Sequence, residues 1–263
     1  MNISPLQRRF VIKQRIYSIS VTLSRLILFL GFIGIWEFTA DKGIINAFIF
    51  SSPVRLYQTF MDLARDGVIF MHIWVTLYET LVAFAIITIV GIIFAILLWC
   101  FKGLSDCLEP FMVVLNSLPK SALAPMLIVW LGTNTKAIII TAVSVAIFGM
   151  IINLYTGFLE IDKEKITLIR TLGGKKWHIL CKLILPGSKK IIISNMKVNI
   201  GLCLVGVIIG EFLAAKKGLG YLIIYGSQVF KMSYVVLGIV ILCIISTLLF
   251  AFINIIQKLF LKD

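Results

Sequence analysis

The residues of this chain that could do chemistry are few and scattered. His72 and His178 lie far apart and neither belongs to a metal-ligating cluster. The five cysteines, at 100, 107, 181, 203 and 243, show no structural-zinc spacing and read as small apolar fillers in or beside apolar segments. No nucleophile is paired with a base, and no G-x-x-x-x-G-K-[ST] phosphate loop occurs, so the chain is expected neither to hydrolyse a substrate nor to bind ATP by itself. What remains is the chemistry of docking. The stretch Thr167-Leu-Ile-Arg170-Thr-Leu-Gly-Gly174-Lys-Lys-Trp177 runs on through alternating basic and apolar residues to Leu185-Pro186. Such a pattern suits a helical surface that seats on a partner, or one that lies on lipid.

The elements that must position this stretch are set by composition. Of 263 residues 60% are hydrophobic and 14% charged, too few charges to cover a water-soluble domain of this size. The expected class is an all-α integral membrane protein. A helix crossing roughly 30 Å of hydrocarbon needs about 20 mostly apolar residues. Six segments meet that length, from about Val21 to Ala40, Val75 to Trp99, Phe111 to Leu131, Ala137 to Phe158, Ile191 to Leu213 and Ser233 to Ile256. Their continuous apolar character favours helices over the alternating strands of a barrel. Pro119, Lys120 and Pro125 interrupt the third. The first is expected to be a retained span behind a basic segment (1–20), because its apolar run is longer than a signal sequence and no small-residue cleavage site follows.

Lysines and arginines set the orientation. With the amino terminus inside, the inner side collects Arg8, Arg9, Lys13, Arg15, Arg25, Lys102, the basic residues between 159 and 190, Lys258 and Lys262. The outer side holds the smaller set Lys42, Arg55, Arg65, Lys136, Lys216, Lys217 and Lys231. Both termini and the 159–190 loop are therefore placed in the cytoplasm. The net charge of +13 belongs to these flanks and to anionic headgroups, with no need for nucleic acid as a partner.

Within the loop, Asp162 is a candidate helix cap, and Ile166, Ile169 and Leu172 recur at helical intervals up to the break at Gly173-Gly174. A second short helix from Lys175 places Trp177, Leu180 and Ile184 on one face and ends at Pro186. Charged or polar residues inside the spans are candidates for the transport path or a gate. Lys120 lines a path, caps a broken helix, or pairs with Glu109 or Glu211. Glu211 sits near the outer end of the fifth span. Asn195 and Asn199 share a helical face and either bond across a dimer interface or face a pore. Lys197 is expected to snorkel, and Glu37 and Glu79 to be solvated. Gly31, Gly34, Gly201, Gly206 and Gly210 are expected to be close-packing positions.

The spacing of Gly173 and Leu185-Pro186 resembles the EAA loop of ABC-importer permeases, whose pattern is Glu-Ala-Ala, three residues, Gly, then a run ending in Leu-Pro. The glycine and proline match; Thr167 and Ile169 stand at the acidic and second alanine positions. Further segments resemble permeases of the nitrate, sulfonate and taurine type. They are Ser51-Ser-Pro-Val-Arg, His72-Ile-Trp-Val-Thr-Leu-Tyr-Glu79 with Glu79 in place of the commoner Arg, the proline-interrupted stretch Leu118 to Gly132, and Gly210-Glu211 followed by Gly218-Leu-Gly220-Tyr-Leu.

The resemblance implies a type I importer fold with six transmembrane helices and a cytoplasmic coupling loop. It implies a homodimer working with two ATP-binding-cassette subunits, which bind the ATP, and with an external binding protein. Leu168, Ile169, Leu172 and Trp177 would insert into the ATPase, Gly173 and Gly174 would allow close approach, and Arg170, Lys175 and Lys176 would meet acidic groups on its rim. Pro186 would close the element. The implied solutes are small anions such as nitrate, sulfonates, taurine or bicarbonate-like ions, or thiamine-precursor pyrimidines. An ion-coupled secondary transporter is the other reading; it would need coupled-ion sites at the midplane and often two repeated halves, and the chain shows few midplane acids and no convincing repeat.

Overall fold

The computed structural model describes residues 5–260, and every regular element among them is a helix. α1 (Pro5–Asp41) is continuous, so the basic segment expected ahead of the first span belongs to the same helix. At 1.5 Å per residue it is roughly 55 Å long, well beyond the hydrocarbon thickness, and its apolar part is Ile19–Asp41. Lys262 and the side chains of Arg8, Arg9 and Arg15 lie outside the described residues. α1 joins the rest of the chain near its end, where Ala40 is buried and Trp36 packs on a core cluster. Gly31 and Gly34 have nothing near them and do not pack helices, contrary to expectation.

A short α2 (Ala47–Phe50) and the amphipathic α3 (Pro53–Arg65) follow. Ser52 caps α3 and Pro53 stands at its first position, where the missing N–H is no loss. Glu37, expected to be solvated, instead accepts from the Val54 N–H at 3.0 Å and from Ser52 Oγ at 3.4 Å, anchoring α1 to the start of α3.

The bundle itself is built from α4 (Val68–Cys100), α7 (Thr135–Leu159) and α11 (Lys189–Ala214), with α13 (Met232–Phe260) alongside. Apolar burial drives little inside a membrane, because lipid tails are as apolar as leucine; close van der Waals packing at small residues does more. The contacts follow that rule. Gly91 on α4 faces Met150, and on α11 Gly206 lies against Ala142 and Gly210 against Ile138. Gly201 touches nothing, so only two of the three expected α11 packing glycines act as such.

These contacts fix direction. Along α11, Gly210, Gly206 and Asn199 meet Ile138, Ala142 and Met150 in turn, so α7 and α11 are antiparallel. Ala83 clusters with Ile138, whereas Leu98 clusters with Ile151, so α4 and α7 run parallel. The chain between two parallel neighbours must return across the full depth of the bundle. It does so as α5 (Lys102–Ser117) and α6 (Lys120–Leu131), bent by 96° at Leu118-Pro119. The expected third span from about Phe111 to Leu131 is thus replaced by two helices. The cause is local. A residue before proline is pushed to extended backbone, as the Leu118 ψ of 142° shows, and Pro119 has no N–H to continue the helix.

The other spans agree with expectation, the second beginning earlier at Val68. Five helices have the length and composition to cross a membrane, and the bent pair makes the sixth crossing. After α11 the chain turns through residues 215–218 into α12 (Leu219–Gln228), which runs back along α13 with Ile223 against Gly238 and Gly226 against Tyr234.

Candidate functional site

One end of the bundle carries the basic loop expected to dock a partner. Asp162 caps α8 (Lys163–Thr171) through the Glu164 N–H at 2.9 Å. The helix stops at Gly173, whose φ of +78° is the left-handed conformation that glycine adopts freely. There the N–H groups of Gly173 and Gly174 donate to the Arg170 and Ile169 carbonyls at 2.9 and 2.8 Å. Gly174 packs on Ile169 so closely that an added Cβ would sit 2.7 Å from its carbonyl oxygen. α9 (Lys176–Ile179) follows, started by His178 Nδ1 accepting from the Lys175 N–H at 3.1 Å.

A π-helical turn over Leu180–Ile184 then leads into α10 (Leu185–Gly187), so the second helix ends one residue beyond the expected Pro186. In that turn the Leu185 N–H donates to the Leu180 carbonyl, which opens the backbone just ahead of a proline that cannot donate.

The apolar residues divide into two sets. Ile179, Leu180 and Ile184 are buried, and Ile166 and Ile169 half-buried, in one cluster with Ala95, Leu154 and Phe158. Lys176 Nζ donates to the Cys100 carbonyl at 3.1 Å, tying the knob to the end of α4. Leu168, Leu172 and Trp177 face outward, 58%, 79% and 69% exposed. Trp177 therefore does not share the buried face of Leu180 and Ile184, and Ile169 serves the anchor. Arg170, Lys175 and Lys176 are exposed, as is Pro186, and Gly173, Gly174, Leu172 and Ile169 line a shallow cleft with His178 and Lys182.

Midway, the bend between α5 and α6 presents Lys120. Its Nζ donates to Asn116 Oδ1 at 3.2 Å, one turn earlier and across the break. The Asn116 oxygen in turn stands against Gly149 of α7. Among the described residues Lys120 is in no salt bridge, so the pairings with Glu109 and Glu211 are not made. Asn195 and Asn199 are turned into the chain's own core. Asn199 Nδ2 reaches the Asn195 carbonyl at 2.8 Å and the Met150 sulfur at 3.2 Å, while Asn195 Nδ2 reaches the Ile191 carbonyl at 3.1 Å. Neither side chain is on an exposed face. Lys197 bonds to Gln257 and lies over the Phe250 ring, so it is held within the chain.

The end opposite the knob holds a polar cluster centred on Glu211, which is 1% exposed. Its Oε1 accepts from Thr76 Oγ1 at 2.7 Å and its Oε2 from the Gly220 N–H at 2.5 Å. Thr76 Oγ1 also accepts from the Leu219 N–H at 2.8 Å, and His72 Nδ1 from the Gly218 N–H at 2.9 Å. Three elements, α4, α11 and the start of α12, are joined by these bonds. Glu79, expected to be solvated, is instead 1% exposed, and its Oε2 has no hydrogen-bond partner. His72, Thr76 and Glu79 fall four and three residues apart, a polar stripe on one helical face that was readable as an inward-facing set. Starting the second span at Val75 hid it by putting Glu79 at a span end.

Five long apolar helices and one bent pair, an anchored knob with an exposed apolar tip and a buried polar cluster at the opposite end make this a multi-pass membrane protein. The chain belongs to the family described as binding-protein-dependent transport system inner membrane component, whose sequence profile matches residues 87–263. It is the membrane-spanning permease subunit of an ABC importer. Membership implies ATP-hydrolysing and substrate-binding partners.

Among its relatives is the putative aliphatic sulfonates transport permease protein SsuC of Bacillus subtilis, 26% identical over 231 residues, 88% of this chain and 83% of that protein. The formylaminopyrimidine transport permease protein ThiX of Halalkalibacterium halodurans is 25% identical over 195 residues, 74% of this chain and 77% of that protein. The fold matches inward-facing structures of the MetNI methionine ABC transporter with a TM-score of 0.66, at 19% identity over 74% of this chain and 96% of that one.

Proposed function

We propose that the chain imports a small anionic solute, of the sulfonate, nitrate or taurine kind, or a thiamine-precursor-like pyrimidine, as one half of a homodimer. Each half docks a cytoplasmic ATP-binding-cassette subunit on its knob, and the cassettes bind the ATP. An external binding protein delivers the solute to the end of the bundle that carries Glu211. This orientation follows the excess of lysine and arginine at the knob end. Closure of the cassettes would move the two knobs as rigid bodies and tilt the helices that hold them.

The observation that carries this reading is the division of the knob's apolar residues. The buried set makes it stiff enough to transmit force. Leu168, Leu172 and Trp177 are left outside as anchors for a partner's pocket, with the glycine pair giving a backbone short enough for close approach. Arg170, Lys175 and Lys176 surround them and suit an acidic rim, where exposed charge pairs contribute little to affinity. Loss of a central aromatic anchor typically costs about 2–4 kcal/mol, roughly 30-fold or more in affinity. Trp177→Asp should therefore strip the ATPase from the purified permease and abolish uptake, with thermal stability unchanged because the side chain is exposed. Undiminished copurification with the ATPase would exclude the knob as its docking site.

The path itself is assigned to the bend. Lys120 is half-buried there with an amide beside it, and the neighbouring face of α5 and α6, including Val114, Val129 and Trp130, is uncovered by the rest of the chain and available to a second copy. A cation at this depth suits an anionic solute. Lys120→Ala should lower uptake at least ~10-fold while ATPase copurification persists, and Lys120→Arg should restore part of it. Equal uptake by Lys120→Ala and the wild type would remove Lys120 from the path.

A further inference from the structure

We propose that the cleft at the end of the bundle opposite the knob binds a small zwitterion, in which an ammonium group and a sulfonate or carboxylate are joined by a short apolar chain. The inference deepens the importer reading given above, on which it rests for the kind of solute, and it narrows that solute to one with a positive end.

The cleft encloses about 230 Å³ between α4, the start of α7 and the turn after α11. Pockets for drug-sized molecules run to roughly 300–1,000 Å³, so this one suits a solute of a few heavy atoms. Glu79 lines it from the inside. The residue is 1% exposed, its Oε2 has no hydrogen-bond partner, and among the described residues it is in no salt bridge.

The polar groups around Glu79 are already engaged. Glu211 accepts from Thr76 and Gly220, and His72 accepts from Gly218. Asn134, also in the cleft wall, accepts from the Ala137 N–H and donates to the Leu131 carbonyl, so its amide is spent on capping α7. A buried carboxyl oxygen without a donor is unfavourable, and a donor arriving from outside relieves it. An ammonium group suits this place because it brings three N–H donors and the opposite charge.

The mouth has the other polarity. Lys216 and Lys217 line the cleft and are exposed there. Two cations at the entrance repel a bare metal ion or a simple amine, but they attract the acid group of a solute that also carries an amine. Between the two charged ends the wall is apolar, with Val75, Ile138, Ala214 and Ala215, which matches a short methylene chain. A simple anion satisfies the lysines and leaves Glu79 unpaired. A site built around such a bond rejects the analogue that lacks it.

The test is calorimetric titration of the permease alone in lipid nanodiscs, at neutral pH, with taurine, 3-aminopropanesulfonate and β-alanine. At least one of the three should bind, and ethanesulfonate and ethylamine, each keeping a single charged end, should bind at least ~10-fold more weakly. Glu79→Gln should weaken the bound zwitterion at least ~30-fold, as expected when one partner of a buried charge pair is removed. Lys216→Ala combined with Lys217→Ala changes only exposed side chains, so it keeps the test open where the Glu79 variant fails to fold; it should cost at least ~3-fold. No binding by any of the three zwitterions overturns the proposal, as does unchanged affinity in either variant. Equal binding of ethanesulfonate would make the cleft an anion site, and equal binding of ethylamine or sodium a cation site; both outcomes also overturn it. With no ATPase or binding protein present, a knob that failed to dock an ATPase would leave these titrations unaffected, and a cleft that bound nothing would leave ATPase copurification unaffected.

Discussion

Gly206→Val should be among the most destabilising single substitutions in this protein, on the order of 3 kcal/mol or more, and should leave little folded permease in the membrane. A Cβ at position 206 would lie 2.6 Å from the Ala142 Cα and 3.2 Å from its carbonyl oxygen. These are backbone atoms, which cannot rotate out of the way as a side-chain tip can. Relief requires α7 and α11 to separate, and their antiparallel contact from Gly157–Ile191 to Gly210–Ile138 is the spine on which α4 also packs. In lipid no hydrophobic gain compensates for a wider separation, because the exposed faces are simply covered by acyl chains. Gly201 on the same helix is the internal control. Nothing stands within 4 Å of it, so Gly201→Ala should be neutral or stabilising by up to about 1 kcal/mol through helix propensity. Thermal unfolding of the two variants in matched nanodiscs separates the cases; equal midpoints would mean that α7 and α11 are not in contact at Gly206.

The second large effect is expected at Gly218. Its φ of +113° is closed to side-chain-bearing residues, and a Cβ there would overlap the carboxyl group of Glu211. Gly218→Ala must change its backbone and displace Glu211, which leaves the Thr76 hydroxyl and the Gly220 N–H without their acceptor. Backbone strain of about 1–3 kcal/mol adds to about 1–3 kcal/mol for each buried donor left unpaired. Uptake should fall to background, because the bonds that join α4, α11 and the start of α12 at this end are broken. The knob lies at the other end, held by its own cluster, so ATPase copurification should persist. Gly43 is also left-handed, at φ +68°, but has no neighbour within 4 Å. Gly43→Ala should therefore carry the backbone strain alone and leave uptake measurable. A Gly218→Ala variant that transports like Gly43→Ala would show that transport does not depend on the Glu211 network.

The positions of the knob and the spans were legible because both are local properties. Each crossing needs a long apolar run, the basic flanks mark one side, and a glycine pair ahead of a proline delimits the short helices between 163 and 187. Which faces of those helices look outward was not legible. Periodicity grouped Trp177 with Leu180 and Ile184, yet Ile179 is buried beside Leu180, so the anchored face is centred on positions 179 and 180 and Trp177 is left in solvent. Ile169, equally apolar, is taken by the anchor because Gly174 folds back onto it.

The polar residues within the spans teach the same lesson. Thr76 and Glu211 are 135 positions apart, and no local pattern states that their side chains meet. The class and the number of crossings follow from the long apolar runs and from the demand that every backbone polar group be satisfied within lipid, which helices meet. The parallel run of α4 and α7 and the burial of Glu211 against Thr76 and Gly220 follow from contacts between distant segments. An apolar run specifies a helix but is nearly the same on all sides, so only packing against neighbours decides which side faces a partner, a path or a buried polar group.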